Sequence, residues 1–433
     1  MRTIIGIFSI LLILIFSSLA SLPAFSEEAL TLKSLIEEAK ANNPELKAFS
    51  EKVRARQARA KAEGYLDDPT LKVEMEDLDR TRPLNTGPGN AMLTRYTVSQ
   101  MFPFPGKLSL REKIALKEAH QANSELAAKE IEVSGMVKEA YYEYAYLNEA
   151  IRKTEEIKDV LTHMSEIAQL RYSTGQVSQQ DVIKINVELT MLGNELISLN
   201  AEKEIAEARL KSLISRPQGS QVSISAELPK DRVSFNTDEL VESAVKQSPD
   251  IRMMEAEAHA NELSVDLAKK NYYPDLMVGV APIQRDGRFD SYDLMFQINI
   301  PIWRGKYNSQ TQEATANALF LKSRLASEKN NKAFEVKGAA LQVDASDRMR
   351  SLYETSLMPQ VELSFESAVR NYQTGRIDFI MLLDTERELK KTRIDYLRTL
   401  LEYRKRVAAL ERAVGVDISA TSADGGLASL SDK

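Results

Sequence analysis

The chain writes its plan twice, and that duplication constrains its fold more than any other feature. "TLKSLIEEAKANNPEL" at 31–46 returns as "NTDELVESAVKQSPDI" at 236–251, which brings Pro44 into line with Pro249. "GYLDDPTL" and "NYYPDL" pair Pro69 with Pro274 at the same spacing. "FPFPGK" (102–107) answers "IPIWRGK" (300–306), aligning Pro103 with Pro301 and Gly106 with Gly305. "RYSTGQVSQQDV" (171–182) comes back as "NYQTGRIDFIML" (371–382), so Tyr172, Thr174 and Gly175 recur as Tyr372, Thr374 and Gly375. Signals that recur in one order mean that one structural unit was copied. The first copy is expected over 27–216 and the second over 237–415. Residues 217–236 join them, and 416–433 form a flexible tail.

Each copy reads helix, strand, strand, helix, helix, which makes the chain mainly α with a small β part. A first helix is expected over about 31–64 and its counterpart over about 237–271. Strands follow at about 69–78 and 92–102, then at about 274–283 and 291–302. In the first, Leu71, Val73 and Met75 alternate with Lys72, Glu74 and Glu76. In the last, Tyr292, Leu294, Phe296, Ile298, Ile300 and Ile302 share one face, while Asp293, Gln297 and Asn299 share the other. Period two with one apolar face fits a membrane β-barrel, and it also fits a half-buried soluble sheet. The loop "DRTRPLNTGPGN" carries turn chemistry in its Gly-Pro-Gly at 87–89, not a phosphate loop. Proline neither donates to a ladder nor continues a helix interior, so Pro103, Pro105 and Pro301, with Gly106 and Gly305, mark strand-to-helix exits.

The helical hairpins are expected over about 107–215 and 306–415. Their outgoing helices, about 107–172 and 306–372, would each run on the order of 100 Å. Pro359 interrupts the second near its end. Apolar residues alternate three and four apart: Val133, Val137, Ala140, Tyr144, Leu147 and Ile151, then Val182, Ile185, Leu189, Leu192, Leu196 and Leu199. Leu389, Tyr396, Leu400, Tyr403, Val407 and Leu410 repeat this spacing in the second copy. Such a seam needs neighbouring helices to cover it. A soluble coiled-coil rod would account for these helices alone equally well. Each outgoing helix is matched in length by two shorter helices laid end to end, so the chain turns at the Tyr-x-Thr-Gly phrase and climbs back in two pieces. Four strands cannot close a barrel, and lipid does not tolerate an open sheet edge, so a membrane sheet must be completed by further copies of the chain.

Composition removes several function classes. The 433 residues carry only 17 glycines and 14 prolines, as long helices require. A net charge of −6 makes no case for nucleic acid. Without cysteine there is no disulfide, thiolate metal site, cysteine nucleophile or lipid-anchored cysteine. His120, His163 and His259 have no metal-ligand spacing. "EMEDLD" could suggest a metal site, but strand alternation places Glu74 and Glu76 in a lumen. No phosphate loop or nucleophile elbow is present, so neither catalytic residues nor a cofactor are expected, and the chain is not read as an enzyme. One Arg, an apolar run from Ile4 to about Leu19 and small residues before Glu27 read as a signal peptide over 1–26, the alternative being a membrane anchor.

The duplicated "NNPEL"/"QSPDI", the exits "SQMFPFPGK"/"INIPIWRGK" and the duplicated Tyr-x-Thr-Gly resemble the TolC-like outer-membrane efflux family over about 30–415. "SQMFPFPGK" is similar to its heavy-metal cation branch. The resemblance implies a homotrimer whose 12-stranded transmembrane β-barrel, held in outer-membrane lipid, continues into a long periplasmic α-helical barrel. It implies a passive exit duct for metal cations, drugs or secreted proteins, served by a periplasmic adaptor (membrane fusion) protein and an inner-membrane pump. It places the Tyr-x-Thr-Gly turns at a periplasmic gate. Carried over by position, Asp181 matches an aperture aspartate, Tyr372 the tyrosine bonded to it, and Asp384 an inner-ring aspartate. The family arginine is replaced by Ile377, with Arg376 one position early, and a second acidic position is Met381. Thr174, Gly175, Gln176, Thr374, Gly375 and Arg376 are the expected adaptor-docking turns. The reading from another class is a soluble periplasmic coiled-coil adaptor or scaffold, which has no need of four strands with lipid-compatible faces.

Overall fold

The computed structural model describes residues 30–78, 91–220, 222–416 and 418. The expected signal segment 1–26, the Gly-Pro-Gly turn at 87–89 and the tail from 419 onward lie outside them. Ile418 is buried against the core beneath Val414, so packed chain extends beyond residue 415.

The first copy contributes α1 (Leu32–Asn42), α2 (Pro44–Glu63), β1 (Thr70–Leu78), β2 (Ala91–Phe102), α3 (Lys107–Ser173) and α4 (Gln179–Leu213). The second contributes α5 (Thr237–Gln247), α6 (Pro249–Lys270), β3 (Leu276–Arg285), β4 (Arg288–Ile298), α7 (Arg304–Leu352), α8 (Met358–Gln373) and α9 (Phe379–Val414).

The expected single helices at 31–64 and 237–271 are each two helices, and the break has one cause in both copies. A proline disfavours the α region in the residue before it. Asn43 and Ser248 accordingly sit at ψ 123° and 142°, end one helix and cap the next, with Pro44 and Pro249 in its first turn. Pro359 acts differently from the expected interruption. Five residues, Tyr353–Leu357, form a π turn, and the Met358 N–H reaches back to the Tyr353 carbonyl. One wide turn lets the chain absorb a residue that lacks an N–H and clashes with the preceding turn, without ending the rod. The last strand stops at Ile298 rather than near 302, because Pro301 cannot join a ladder.

The four strands form one antiparallel sheet in the order β1-β2-β3-β4. The two copies join through β2 and β3, from Phe102 opposite Leu276 to Leu93 opposite Arg285. Three apolar clusters lie along the helices. One gathers Leu35, Val137, Tyr141, Leu147 and Leu210, a second Val336, Val343, Tyr403 and Val407, and a third Leu161, Ile185, Leu192, Tyr372 and Phe379. All six seam positions from Val133 to Ile151 are buried. The joining segment is tied down at mid-length. Arg404 donates to the carbonyls of Pro229 and Asp231 at 2.8 Å each, and the Tyr403 hydroxyl accepts from Val233 N–H at 2.9 Å.

Candidate functional site

Register separates the two faces of the sheet. Leu71 lies opposite Val98, Val98 opposite Val280 and Val280 opposite Leu294. Directly paired residues share a face, so these four are one apolar surface, and it extends to Val73, Phe102, Leu276, Tyr292, Phe296 and Ile298. All ten are exposed, Phe296 to 71%. The other face carries Lys72, Glu74, Thr97, Ser99, Asp293 and Gln297, and Thr97 and Ser99 are buried in it. This is the reverse of a soluble sheet, which turns its apolar face inward. Among the described residues no helix is long and apolar enough to cross a membrane.

The first exit is held by one carboxylate. Asp275 Oδ1 accepts from Phe104 N–H at 2.7 Å and pairs with the buried Lys107 ammonium at 2.8 Å. Lys107 Nζ also donates to the Tyr273 carbonyl at 3.3 Å. Gly106 turns the chain into α3 at φ +90°, a conformation that favours glycine. Pro103 and Pro105 occupy the connector before it, Pro301 follows β4, and Gly305 lies in the first turn of α7.

At the far end both Tyr-x-Thr-Gly phrases make the same turn. Gly175 and Gly375 have φ +74° and +70°, and each donates its N–H to the preceding tyrosine carbonyl at 3.0 Å. Gln176 and Arg376 N–H close the wider bond to Arg171 and Asn371 carbonyls. Thr174, Gly175, Gln176, Thr374, Gly375 and Arg376 are all exposed.

The structure does not bring the expected gate pair together within one chain. Asp181 forms a capping box, its Oδ2 accepting from Ser178 N–H at 3.2 Å and Ser178 Oγ at 2.9 Å. Tyr372 is buried, with its ring edge-on to Phe379 at 5.8 Å and its hydroxyl without a hydrogen-bond partner. Asp384 is largely exposed, 3.8 Å from Arg387. The Met381 departure has a local explanation. Asp378 caps α9 by accepting from Met381 N–H at 2.9 Å, so the acid serving the helix end has moved three residues forward.

Other residues tie the two hairpins together. The Arg171 guanidinium lies over the Tyr372 ring at 5.1 Å and donates to the Tyr372 and Gln373 carbonyls at 3.4 and 3.3 Å. Arg387 donates from Nε and Nη2 to the buried Glu188 carboxylate at 3.0 and 2.6 Å, and Lys390 pairs with Glu195 at 3.0 Å. Glu386 is only 3% exposed, and neither of its oxygens has a partner. Burial first, and then the Glu188 charge, push its carboxyl up to about 7, against the opposing pull of Lys390 and Arg387. Heptad spacing hid these residues: Glu188, Arg387 and Lys390 read as solvated helix positions until α4 is set beside α9.

A family described as "Outer membrane efflux protein" matches residues 35–216 and 240–416. The cobalt-zinc-cadmium resistance protein CzcC of Cupriavidus metallidurans is 22% identical over 407 residues, 91% of this chain and 92% of that one. The pyoverdine export outer membrane protein OpmQ of Pseudomonas putida is 23% identical, covering 89% and 85%. Among solved structures, CusC superposes with TM-score 0.73 at 18% identity, covering 89% and 92%. The open state of the Neisseria gonorrhoeae MtrE outer membrane channel gives 0.75 at 16% identity, covering 89% of each chain.

Proposed function

The chain belongs to the outer membrane efflux protein family, and on that premise we propose that it is the outer-membrane exit duct of a tripartite efflux pump or a type I secretion system. The carrying observation is the sheet, whose exposed face is apolar across all four strands and whose edges are β1 and β4. An edge strand in lipid must be paired. Three copies, each offering β1 to the β4 of the next, close twelve strands and leave no edge. The polar face with Lys72, Glu74 and Asp293 then lines the lumen. A soluble periplasmic scaffold would have to leave ten large apolar side chains in water, which disfavours it.

The helices continue the duct, and the two turns are its inner end. Arg171, Glu188–Arg387 and Glu195–Lys390 hold one hairpin against the other, which supports a closed resting state. Three copies of Asp384 around a narrow axis would focus negative potential and favour cations. The exposed turns are the docking tips for a periplasmic adaptor that brings the inner-membrane pump. Opening requires that this adaptor bind the open tip better than the closed one. The likeness to a cobalt-zinc-cadmium resistance protein supports metal cations as cargo.

Fractionation tests the duct. The mature protein should require detergent for extraction and conduct ions in a planar bilayer as a trimer. Recovery in the soluble periplasm without detergent sinks the reading. For the gate, Arg171→Ala with Arg387→Ala should raise single-channel conductance, and an unchanged value removes the hairpin links from it. A deletion strain should become sensitive to cobalt, zinc and cadmium before detergents or antibiotics if metals are the cargo.

A further inference from the structure

Where β4 becomes α7, the exterior of the molecule holds an open groove of about 840 Å³. Its wall is Ile298, at the end of the apolar face of β4, with Ile300 and Ile302 in the connector just beyond it, all three exposed. Its rim is Tyr272, Lys269 and Arg304, and no carboxylate lines it. The Arg304 guanidinium stacks over Tyr272 at 5.8 Å, which leaves its edge free to donate. Lys269 is more than half exposed and pairs with Asp266 at 3.1 Å, a surface contact that solvent weakens. Trp303 beside the groove is 75% exposed. A bare indole next to isoleucines and cations suits the boundary between acyl chains and headgroups, where amphipathic rings settle.

We propose that this groove binds the headgroup of an anionic phospholipid in the periplasmic leaflet. The phosphate is held by Arg304 and Lys269, and the first acyl carbons lie along Ile298, Ile300 and Ile302. The site rests on the reading that the sheet is embedded in a membrane. Two cations without a lining carboxylate favour a net negative headgroup over a zwitterionic one. Each basic residue near an anionic lipid surface is worth roughly fivefold in affinity. The groove thereby fixes the height at which the barrel ends and the helices begin.

The test is native mass spectrometry of the full-length protein released from nanodiscs of equal phosphatidylglycerol and phosphatidylethanolamine. The wild type should retain phosphatidylglycerol roughly twenty-five-fold over phosphatidylethanolamine, about fivefold from each cation. Arg304→Gln should lower that preference roughly fivefold, and Arg304→Gln with Lys269→Gln should abolish it. Lys322→Gln, an equal loss of charge on the exposed side of α7, should leave it intact. Equal retention of both lipids by the wild type, or an unchanged preference in the double variant, overturns the proposal. So does a double variant that dissociates into monomers while its monomers keep the preference, since Arg304 and Lys269 would then serve the acidic Asp67–Asp68 stretch of the next copy. Failure of the wild type to enter nanodiscs is a separate result, which removes the membrane reading itself.

Discussion

The two tip turns share a phrase, a backbone and a set of hydrogen bonds, yet they differ in what the phrase is used for. Tyr172 is 45% exposed, whereas its counterpart Tyr372 is 8% exposed and sits between Arg171 and Phe379. In the first copy the helix that follows is capped by Ser178 with Asp181 in return, and in the second by Asp378 alone. The backbone is conserved between copies because glycine at positive φ and a capped helix start are local requirements, met by the short phrase itself. The side chains differ because one tyrosine packs inside the tip while the other lies on its surface. The same phrase thus keeps its turn and changes its contacts.

The sharpest way to break this comparison is to truncate both tyrosines. Tyr372→Ala should cost the tip about 3 kcal/mol, as other buried aromatic truncations do, and Tyr172→Ala under about 0.5 kcal/mol. Hydrogen exchange at 365–385 and 165–185 reads both, and equal costs would mean that the two turns are alike in the assembled protein. Next in size is Arg387→Ala, which leaves Glu188 buried without its partner and beside Glu386. About 2 kcal/mol is expected, less than for a fully buried pair because Arg387 is half exposed. Loss of thermal stability without faster exchange in α4 would contradict it.

A pH dependence separates the second turn from the first. Burial pushes the folded carboxyl of Glu386 up to about 7, above the ordinary 4.5, so the folded seam holds the proton more tightly than the unfolded chain. Stability at the seam is therefore greatest below about 4.5 and is lost as pH rises through about 7. Protection factors in α9, which divide out the intrinsic base catalysis of exchange, should fall over that window, those at 171–182 should not, and Glu386→Gln should flatten the response. A wild-type profile flat between pH 5 and 8 would refute it. Smaller effects belong to the caps. Ser178→Ala and Asp378→Ala should each cost about 1 kcal/mol. Tyr372→Phe should cost almost nothing, since its hydroxyl has no partner, and a conductance increase in that variant would show that assembly gives the hydroxyl one.

Much of the fold was legible because its signals are local. Pro44 and Pro249 disfavour helix in the residue before them, Gly175 and Gly375 permit a left-handed turn, and period-two alternation assigns Leu71 and Lys72 to opposite faces of a strand. Duplication made each signal visible twice. The turns at 171–176 and 371–376 and the strand exits were legible as backbone features, but not the side-chain contacts made around them. Within one chain Asp181 caps its own helix and does not meet Tyr372, while Arg171, Glu188, Glu386 and Arg387 read as ordinary helix-surface residues. Which face of a long helix is covered depends on partners some 200 residues away, and heptad spacing does not name them. The sequence by itself determined where the chain bends, where it alternates and that it does so twice. The tertiary structure decided which of two identical tyrosines is buried and which carboxylate loses its water, because burial belongs to pairs of distant segments and not to any one of them.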